Sequence, residues 1–234
     1  VNGTGCGQMR QNGRFLLSVD DVFNRINTQI ESKINSARSN ASPGDKINVI
    51  FIAGISGGTG SGTFIDIAYI THNIFREKGI SNYKIAGYIY TPDVQFTNPN
   101  INEVGRAGLS KNGFAALKEL DYYMNIEKIN GVYKWPFRSI GQDIPKNIYD
   151  TCVIVTGRDH GGAVIGSEEK CRDALTETLV LALSDTTFME NGVPAQMIDS
   201  LMDNNIASFN TWSAVAGADD NIYPKTCNYV YNSV

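Results

Sequence analysis

The sequence lacks the features that define several large classes of protein. No apolar run in its 234 residues approaches the roughly 18 residues that a membrane-spanning helix needs. The 20 lysines and arginines are outnumbered by 24 aspartates and glutamates, and no basic stripe occurs along the chain. A dedicated nucleic-acid binder is typically basic. We therefore expect a protein that neither inserts into a membrane nor binds nucleic acid.

Cysteine and histidine are also scarce. The four cysteines are scattered without a C-x-x-C pair, and the two histidines lie far apart in sequence, at positions 72 and 160. This spacing is typical of reduced thiols rather than of a disulfide scaffold, and it offers no zinc site. We therefore expect a cytoplasmic protein and predict no metal-ligating side chains.

Apolar patterns predict an α/β fold built on a parallel sheet. Residues 47–53 form a nearly continuous apolar run, which is typical of a strand buried on both faces. A helical pattern follows over residues 63–78, and the next strand is predicted over residues 84–90. Strand, helix and strand within about 45 residues make a βαβ unit, which places the two strands in parallel. A third buried strand is predicted over residues 151–156.

Helices are predicted before the sheet and after its third strand. An apolar residue recurs at every fourth position from Val22 to Ile34, on one face of a helix. Ser18 with Asp21 is predicted to cap the start of that helix. A long helix is predicted over residues 167–183.

The most informative segment is a run of seven small residues, S-G-G-T-G-S-G, at positions 56–62. It lies between a predicted strand and a predicted helix, where glycines let backbone N–H groups approach an anion and the helix dipole favours phosphate. The hydroxyl groups of Thr59 and Ser61 are candidate partners of phosphate oxygens. The segment has no lysine of the Walker A type and forms no clean G-x-G-x-x-G motif. The alternative interpretation is a tight strand–helix turn without a ligand.

Residues 56–62 match the signature of the tubulin/FtsZ superfamily, in which G-G-T-G is flanked by small residues and ends on glycine. Residues 3–8, G-T-G-C-G-Q, resemble the loop of that family that meets the terminal phosphate. Arg106 resembles the family arginine that touches the nucleotide, and Asp173 resembles the acid that recognises guanine. The resemblance covers roughly residues 1–183 and is strongest to divergent bacterial tubulin-like proteins.

The resemblance implies a Rossmann-like parallel sheet with helices on both faces, in a nucleotide-binding domain over residues 1–183 that begins after its first strand. Residues 184–234 would begin a second, activation-type domain. The family is one of GTPases that bind GTP or GDP with Mg2+ and self-associate head to tail into filaments. Acids of the neighbouring subunit, here Asp199 and Asp203, would complete the catalytic site. The implied nucleotide-binding residues are Gly3, Thr4, Gly5, Gly57, Gly58, Thr59, Gly60, Ser61, Gly62, Arg106 and Asp173.

Two departures from the family pattern leave other functions open. No asparagine occurs at residues 155–158, where the purine loop of the family falls, and its acidic catalytic loop has no clear counterpart. One alternative is a degenerate tubulin-like scaffold that binds nucleotide without efficient turnover. The other is a Rossmann-type enzyme that uses the glycine segment to bind a dinucleotide.

Further expectations concern single side chains on the helix after the glycine segment and the aromatic residues that follow. Asp66 is expected to compensate the helix dipole, and His72 is expected on the helix surface. A cluster of aromatic residues is interpreted as a cover of the core, with an interface patch as the alternative: Tyr122, Tyr123, Trp135 and Phe137.

Overall fold

A computed structural model of the protein describes residues 6–42, 44–136, 143–158, 163–164, 166–173, 175–176 and, for the backbone alone, 227–230. The helices are α1 (Arg10–Ser18), α2 (Asp20–Asn40), α3 (Gly58–Glu77) and α4 (Glu103–Met124), and a 3-10 turn spans Pro92–Gln95. The strands are β1 (Ile47–Gly54), β2 (Tyr83–Tyr90), β3 (Thr151–Val155) and β4 (Cys227–Val230). Within the described ranges, no helix combines the length and the apolar character that crossing a membrane requires.

The strands form one parallel sheet in the order β1-β2-β3-β4. The pairing of β1 with β2 runs from Ile47 opposite Tyr83 to Gly54 opposite Tyr90. Parallel neighbours require a crossover connection between them, and α3 and α4 lie in the first two of these connections. The parallel α/β fold predicted from the sequence is therefore confirmed.

One face of the sheet is covered by α3 and α4. Phe64 and Tyr69 of α3 and Leu120 of α4 pack with Ile85 and Ile89 of β2 in one buried cluster. Each large apolar side chain buried in this way contributes about 1.5–3 kcal/mol of transfer free energy. This packing holds the first turn of α3 at the edge of the sheet where the strands end.

The opposite face carries a helical segment, residues 168–173, which continues at residues 175–176. Its Leu175 is buried and packs against Val153 and Val155 of β3. Side chains alternate between the two faces of a strand, so these valines point away from the face that α3 and α4 cover. Helices therefore lie on both faces of the sheet, as the family resemblance implies.

The first strand differs from the prediction in its burial. Its residues are half-buried or exposed, and the Ile52 side chain is 55% exposed, whereas every residue of β3 is buried. In the part of the chain that the structure describes, β1 has a paired neighbour on one side only. The expectation of a strand buried on both faces is wrong for β1, because an apolar run does not specify which elements will cover it.

The start of the chain contains a helix that the sequence analysis does not predict, α1. The next helix, α2, has Val19 as its N-cap, without a capping side chain. The Ser18 hydroxyl instead donates a hydrogen bond to the Phe15 carbonyl oxygen at 2.6 Å. The predicted capping pair of Ser18 with Asp21 is therefore wrong.

His72 lies inside the protein rather than on the surface of α3. It is 4% exposed, and its ring nitrogens lie 2.9 Å from the Tyr83 hydroxyl oxygen and 3.1 Å from the Ile148 carbonyl oxygen. Burial lowers the pKa of His72 to about 4, so the ring is uncharged at neutral pH. The expected surface position is wrong, because residues distant in sequence supply partners for both nitrogens.

The segment between α4 and β3 covers the core with aromatic side chains. Tyr133 stacks on Tyr69 of α3 with ring centroids 3.9 Å apart, and Trp135 meets the Tyr133 ring edge-on at 5.1 Å. The interpretation as a cover of the core is confirmed for Tyr123 and Trp135, which pack against it. Tyr122 of the same cluster is 50% exposed, and Phe137 lies outside the described residues. The predicted domain boundary after residue 183 lies outside the described residues.

Candidate functional site

The candidate site lies at the edge of the sheet where the parallel strands end. The loop after β1 is tied to the end of β2 by a hydrogen bond from the Ile55 N–H to the Tyr90 carbonyl oxygen at 3.0 Å. The loop after β2 is tied to the end of β3 in the same way, from the Thr91 N–H to the Val155 carbonyl oxygen at 3.0 Å. In open α/β sheets, ligands bind at this edge.

The N-terminus of α3 lies at this edge, and no side-chain hydrogen bond caps it within the part of the chain that the structure describes. Gly57 is the N-cap residue in an extended conformation, and the first turn contains no acidic residue. The first N–H groups of a helix have no partner within the helix, and together with the helix dipole they attract an anion. A Cβ atom built on Gly57 would have no heavy atom of the described residues within 4 Å. The helix start is therefore open on the side that this residue faces.

The other glycines of the segment lie inside α3 and serve close packing. A Cβ atom on Gly58 would lie 2.7 Å from the Met9 nitrogen, and one on Gly60 would lie 2.3 Å from the Gly54 carbonyl oxygen. These are closer approaches than a side chain tolerates. Phosphate binding is the role expected of all the glycines in the segment, and the structure adds a packing role for Gly58 and Gly60.

The first turns of α1 and α3 are in backbone contact. A Cβ atom on Gly62 would lie 2.3 Å from the Arg10 carbonyl oxygen, and one on Gly13 would lie 2.4 Å from the Gly58 carbonyl oxygen. The absence of side chains at these glycines lets the two helices approach each other. Their contact holds the loop at residues 6–9 beside the start of α3.

The hydroxyl groups of the glycine segment have different surroundings. The Ser61 side chain is buried, and its hydroxyl donates a hydrogen bond to the Gly57 carbonyl oxygen. Thr59 is exposed at the start of the helix, and its carbonyl oxygen accepts a hydrogen bond from the Thr63 hydroxyl at 2.9 Å. Contacts of Thr59 and Ser61 with phosphate stay predictions.

The loop at residues 6–9 is a tight turn, closed by a hydrogen bond from the Met9 N–H to the Cys6 carbonyl oxygen at 3.1 Å. Gly7 has a φ of 47° and Gln8 a φ of 55°, and both are exposed. A left-handed conformation costs a non-glycine residue such as Gln8 roughly 1–2 kcal/mol. Surrounding contacts must therefore hold this turn. The predicted phosphate-contacting residues Gly3, Thr4 and Gly5 lie outside the described residues.

Asn112 of α4 joins this turn to the loop after β1, and sequence reasoning missed its role. Its Nδ2 atom donates hydrogen bonds to the Gln8 carbonyl oxygen at 2.7 Å and to the Ser56 carbonyl oxygen at 2.9 Å. These two acceptors are 104 and 56 residues away in sequence. The one signal in the sequence is that residues 112–117, N-G-F-A-A-L, resemble a helix of the tubulin/FtsZ superfamily.

Asp93 joins the loops after β2 and β3, and sequence reasoning did not select it either. Its carboxylate accepts a hydrogen bond from the Gly157 N–H at 3.0 Å and another from the Thr91 hydroxyl. A Cβ atom on Gly157 would lie 2.8 Å from the Asp93 carbonyl oxygen, so the two loops are in close contact. Connections of this kind make the edge a continuous, preorganised surface.

Asp66 has a different role from the one predicted. It is buried, and its carboxylate accepts hydrogen bonds from Arg14 at 2.9 and 3.1 Å and from the Tyr133 hydroxyl. Burial, together with the nearby Asp66 carboxylate, raises the pKa of Tyr133. The expectation that Asp66 compensates the dipole of α3 is wrong, because its charge is paired with α1 away from the first turn.

Two predicted nucleotide contacts lie on the helices that border the edge. Arg106 is exposed near the start of α4. Gly108 follows it by two residues in the same helix, and a Cβ atom there would lie 2.8 Å from the Gln8 side-chain oxygen. This part of α4 therefore borders the loop at residues 6–9. Asp173 is exposed in the helical segment on the other face of the sheet, with its carboxylate 4.0 Å from Arg172.

The predicted catalytic acids, Asp199 and Asp203, lie outside the described residues. Among the residues that are described, no group of three or more His, Cys, Asp or Glu side chains is placed to hold a metal ion.

The sequence is similar to a known protein family over almost its whole length. A protein-family model described as tubulin-like matches residues 1–229. No curated protein and no solved structure matches the chain. Since the family match spans almost all of the sequence, the resemblance stated from residues 56–62 is confirmed. The chain belongs to the tubulin-like family.

Proposed function

We propose that the chain binds a guanine nucleotide through its phosphates, at the edge of the sheet where α3 begins. The observation that carries the proposal is the uncapped start of α3 at Gly57, with the turn at residues 6–9 beside it. Backbone N–H groups in such a place bind phosphate without a charged side chain. The tubulin-like family supports GTP and GDP as the ligands.

The chain supplies both the phosphate contacts and the contacts with the rest of the nucleotide. The N–H groups of residues 57–60 donate to phosphate oxygens, and residues 3–8 lie over the terminal phosphate. Arg106 reaches the nucleotide from α4. Asp173 accepts hydrogen bonds from the guanine base, and a charge-assisted pair of this kind discriminates between purines.

Magnesium, when bound with GTP, neutralises charge on the terminal phosphates, and most of its ligands come from phosphate and water. The protein has the task of holding the phosphates in place. The open space beside Gly57 and the uncapped helix start fit a phosphate group. The exposed Thr59 at the first turn of α3 fits a hydroxyl contact with the same group.

The proposal extends to hydrolysis and self-association. The turn at residues 6–9 and the residues from Ile55 to Gly62 contain amides, hydroxyls and Gln8, but no acid that would orient the attacking water. In the proposed mechanism Asp199 or Asp203 of a neighbouring subunit supplies it, as subunits join head to tail into filaments in the cytoplasm. Turnover then requires association.

The test measures GTP binding by calorimetry and phosphate release over a wide range of protein concentration. We expect GTP to bind in the presence of magnesium, and turnover per subunit to rise with concentration and vanish on dilution. Asp199→Asn and Asp203→Asn should weaken that rise while leaving nucleotide binding intact. A turnover number independent of concentration, in a sample that stays monomeric, would refute the shared site.

Two other outcomes point to the remaining functions. Tight GTP binding without phosphate release at any concentration would make the chain a nucleotide-binding scaffold. Binding of a nicotinamide dinucleotide in place of GTP would make it a Rossmann-type enzyme and refute the proposal.

A further inference from the structure

Asn112 connects two loops that form the proposed phosphate surface. A side-chain amide carries two hydrogens on its nitrogen, and both face carbonyl oxygens here, of Gln8 at 2.7 Å and of Ser56 at 2.9 Å. We call this pair of hydrogen bonds the Asn112 bridge. It joins residues 6–9 to residues 55–57 through a third element, α4.

The bond to Ser56 sets the direction of an N–H group at the helix start. The described residues contain no cis peptide bond, and in a planar trans peptide the carbonyl and the next N–H point in opposite directions. When Asn112 holds the Ser56 carbonyl oxygen, the Gly57 N–H must point away from the Asn112 amide. This N–H belongs to the N-cap residue of α3.

The bond to Gln8 holds a strained residue. Gln8 is left-handed, with a φ of 55°, in the turn that contacts the start of α3 through Met9 and Gly58. The hydrogen bond from Asn112 fixes the carbonyl oxygen of that residue and offsets part of the conformational cost. Without it, the turn would relax toward other conformations.

We infer that Asn112 is a positioning residue that holds the two phosphate-binding loops in one arrangement. The inference rests on the proposed function, since it concerns the same site. Asn112 acts on the nucleotide only through the two loops. Its removal should therefore weaken the contacts with phosphate and leave the contacts with the base unchanged.

The experiment compares Asn112→Ala and Asn112→Asp with wild type in the whole protein, with Asn35→Asp, at an exposed position of α2, as the control for the change of charge. Calorimetry measures the affinity for GTP, and competition measures the affinity for guanosine. We expect GTP to bind about tenfold more weakly to Asn112→Ala, because both hydrogen bonds that hold the two loops are lost. Asn112→Asp should be weaker still, because its carboxylate faces two carbonyl oxygens. Guanosine should bind all variants equally.

A pH profile separates positioning from general damage. Below the pKa of the introduced carboxyl group, Asn112→Asp regains a hydrogen that it can donate to one carbonyl oxygen. Its GTP affinity relative to wild type should therefore recover as the pH falls from 7 to about 4, near the ordinary pKa of Asp. Asn112→Ala has no such group and should show no recovery.

Hydrogen exchange tests the bridge without a ligand. In Asn112→Ala, the amides of residues 6–9 and 55–58 should exchange about tenfold faster, while those of β2 stay unchanged. A variant with wild-type exchange in both loops, or with equal losses of GTP and guanosine affinity, would overturn the inference. Wild-type protein that binds no GTP refutes the proposed function, and the exchange measurement still decides whether the bridge holds the loops.

Discussion

The start of α3 allows the phosphate contact to be tested by a substitution that should leave the fold intact. Gly57→Asp places a carboxylate at the N-cap, where no heavy atom of the described residues lies within 4 Å of the new Cβ atom. Gly57 has a φ of −87° and a ψ of −178°, which an N-cap aspartate adopts without strain. The carboxylate would then accept from the same N–H groups that the proposal assigns to phosphate.

Gly57→Asp is expected to raise the stability of the free protein and to lower its affinity for phosphate. An aspartate in place of glycine at the N-cap stabilises a helix by a few tenths of a kcal/mol, and its charge adds about 0.3–1 kcal/mol against the dipole. A phosphate about 4 Å from this carboxylate is repelled by roughly 4 kcal/mol per unit charge at an effective dielectric constant of 20. Half of that repulsion corresponds to an affinity loss of about 30-fold.

The assay combines a thermal melt of the free protein with calorimetric titration of GTP in magnesium. We expect the melting temperature of Gly57→Asp to stay the same or to rise by about 2 °C, while GTP binding weakens at least about 30-fold. Gly57→Ser is the matched control, since it caps the helix without a charge, and it should lose much less affinity. If Gly57→Asp bound GTP as tightly as wild type, the N-terminus of α3 would not be the phosphate site.

The remaining predictions concern stability, and urea unfolding measures each of them. Gly62→Val should cost about 2–4 kcal/mol, because its Cβ atom would lie 2.3 Å from the Arg10 carbonyl oxygen, whereas Thr59→Val, at an exposed position, should cost under about 1 kcal/mol. Asp66→Asn should lower the free energy of unfolding by about 2 kcal/mol, because the charged hydrogen bonds from Arg14 are lost, and an unchanged stability would contradict their contribution. For His72, the folded pKa of about 4 lies below the unfolded value of about 6.5, so its contribution is complete above pH 6.5 and falls by about 3 kcal/mol as the pH drops toward 4. His72→Gln should lose that part of the pH dependence, and an unchanged profile would contradict the buried, neutral ring.

Local and periodic signals in the sequence determined the fold class. The apolar runs at residues 47–53, 84–90 and 151–156 correspond to β1, β2 and β3, because strand length and apolar content are properties of a short segment. The run of small residues at 56–62 located the candidate site, because a strand–turn–helix with glycines is recognisable from neighbouring residues alone. The order of the residues in this run also identified the family.

The structure alone decided what individual residues in those segments do. Gly57 faces open space while Gly58 packs on the turn at residues 6–9, and no property of the two glycines distinguishes them before α1 is placed against α3. Helix α1 was not predicted for a related reason. It contains Gly13 at the point where it contacts α3, and the role of this glycine is visible only when the two helices are packed together.

The partners of polar side chains were equally inaccessible to sequence reasoning. In the Asn112 bridge, the two acceptor residues lie 104 and 56 positions from Asn112 in the sequence. Asp66 and Arg14 are separated by 52 positions. A hydrogen bond or an ion pair depends on a distance of about 3 Å between two atoms, and only the tertiary fold brings such distant residues that close. The sequence therefore determined where the candidate site lies, and the packing of α1, α3 and α4 decided which atoms form it.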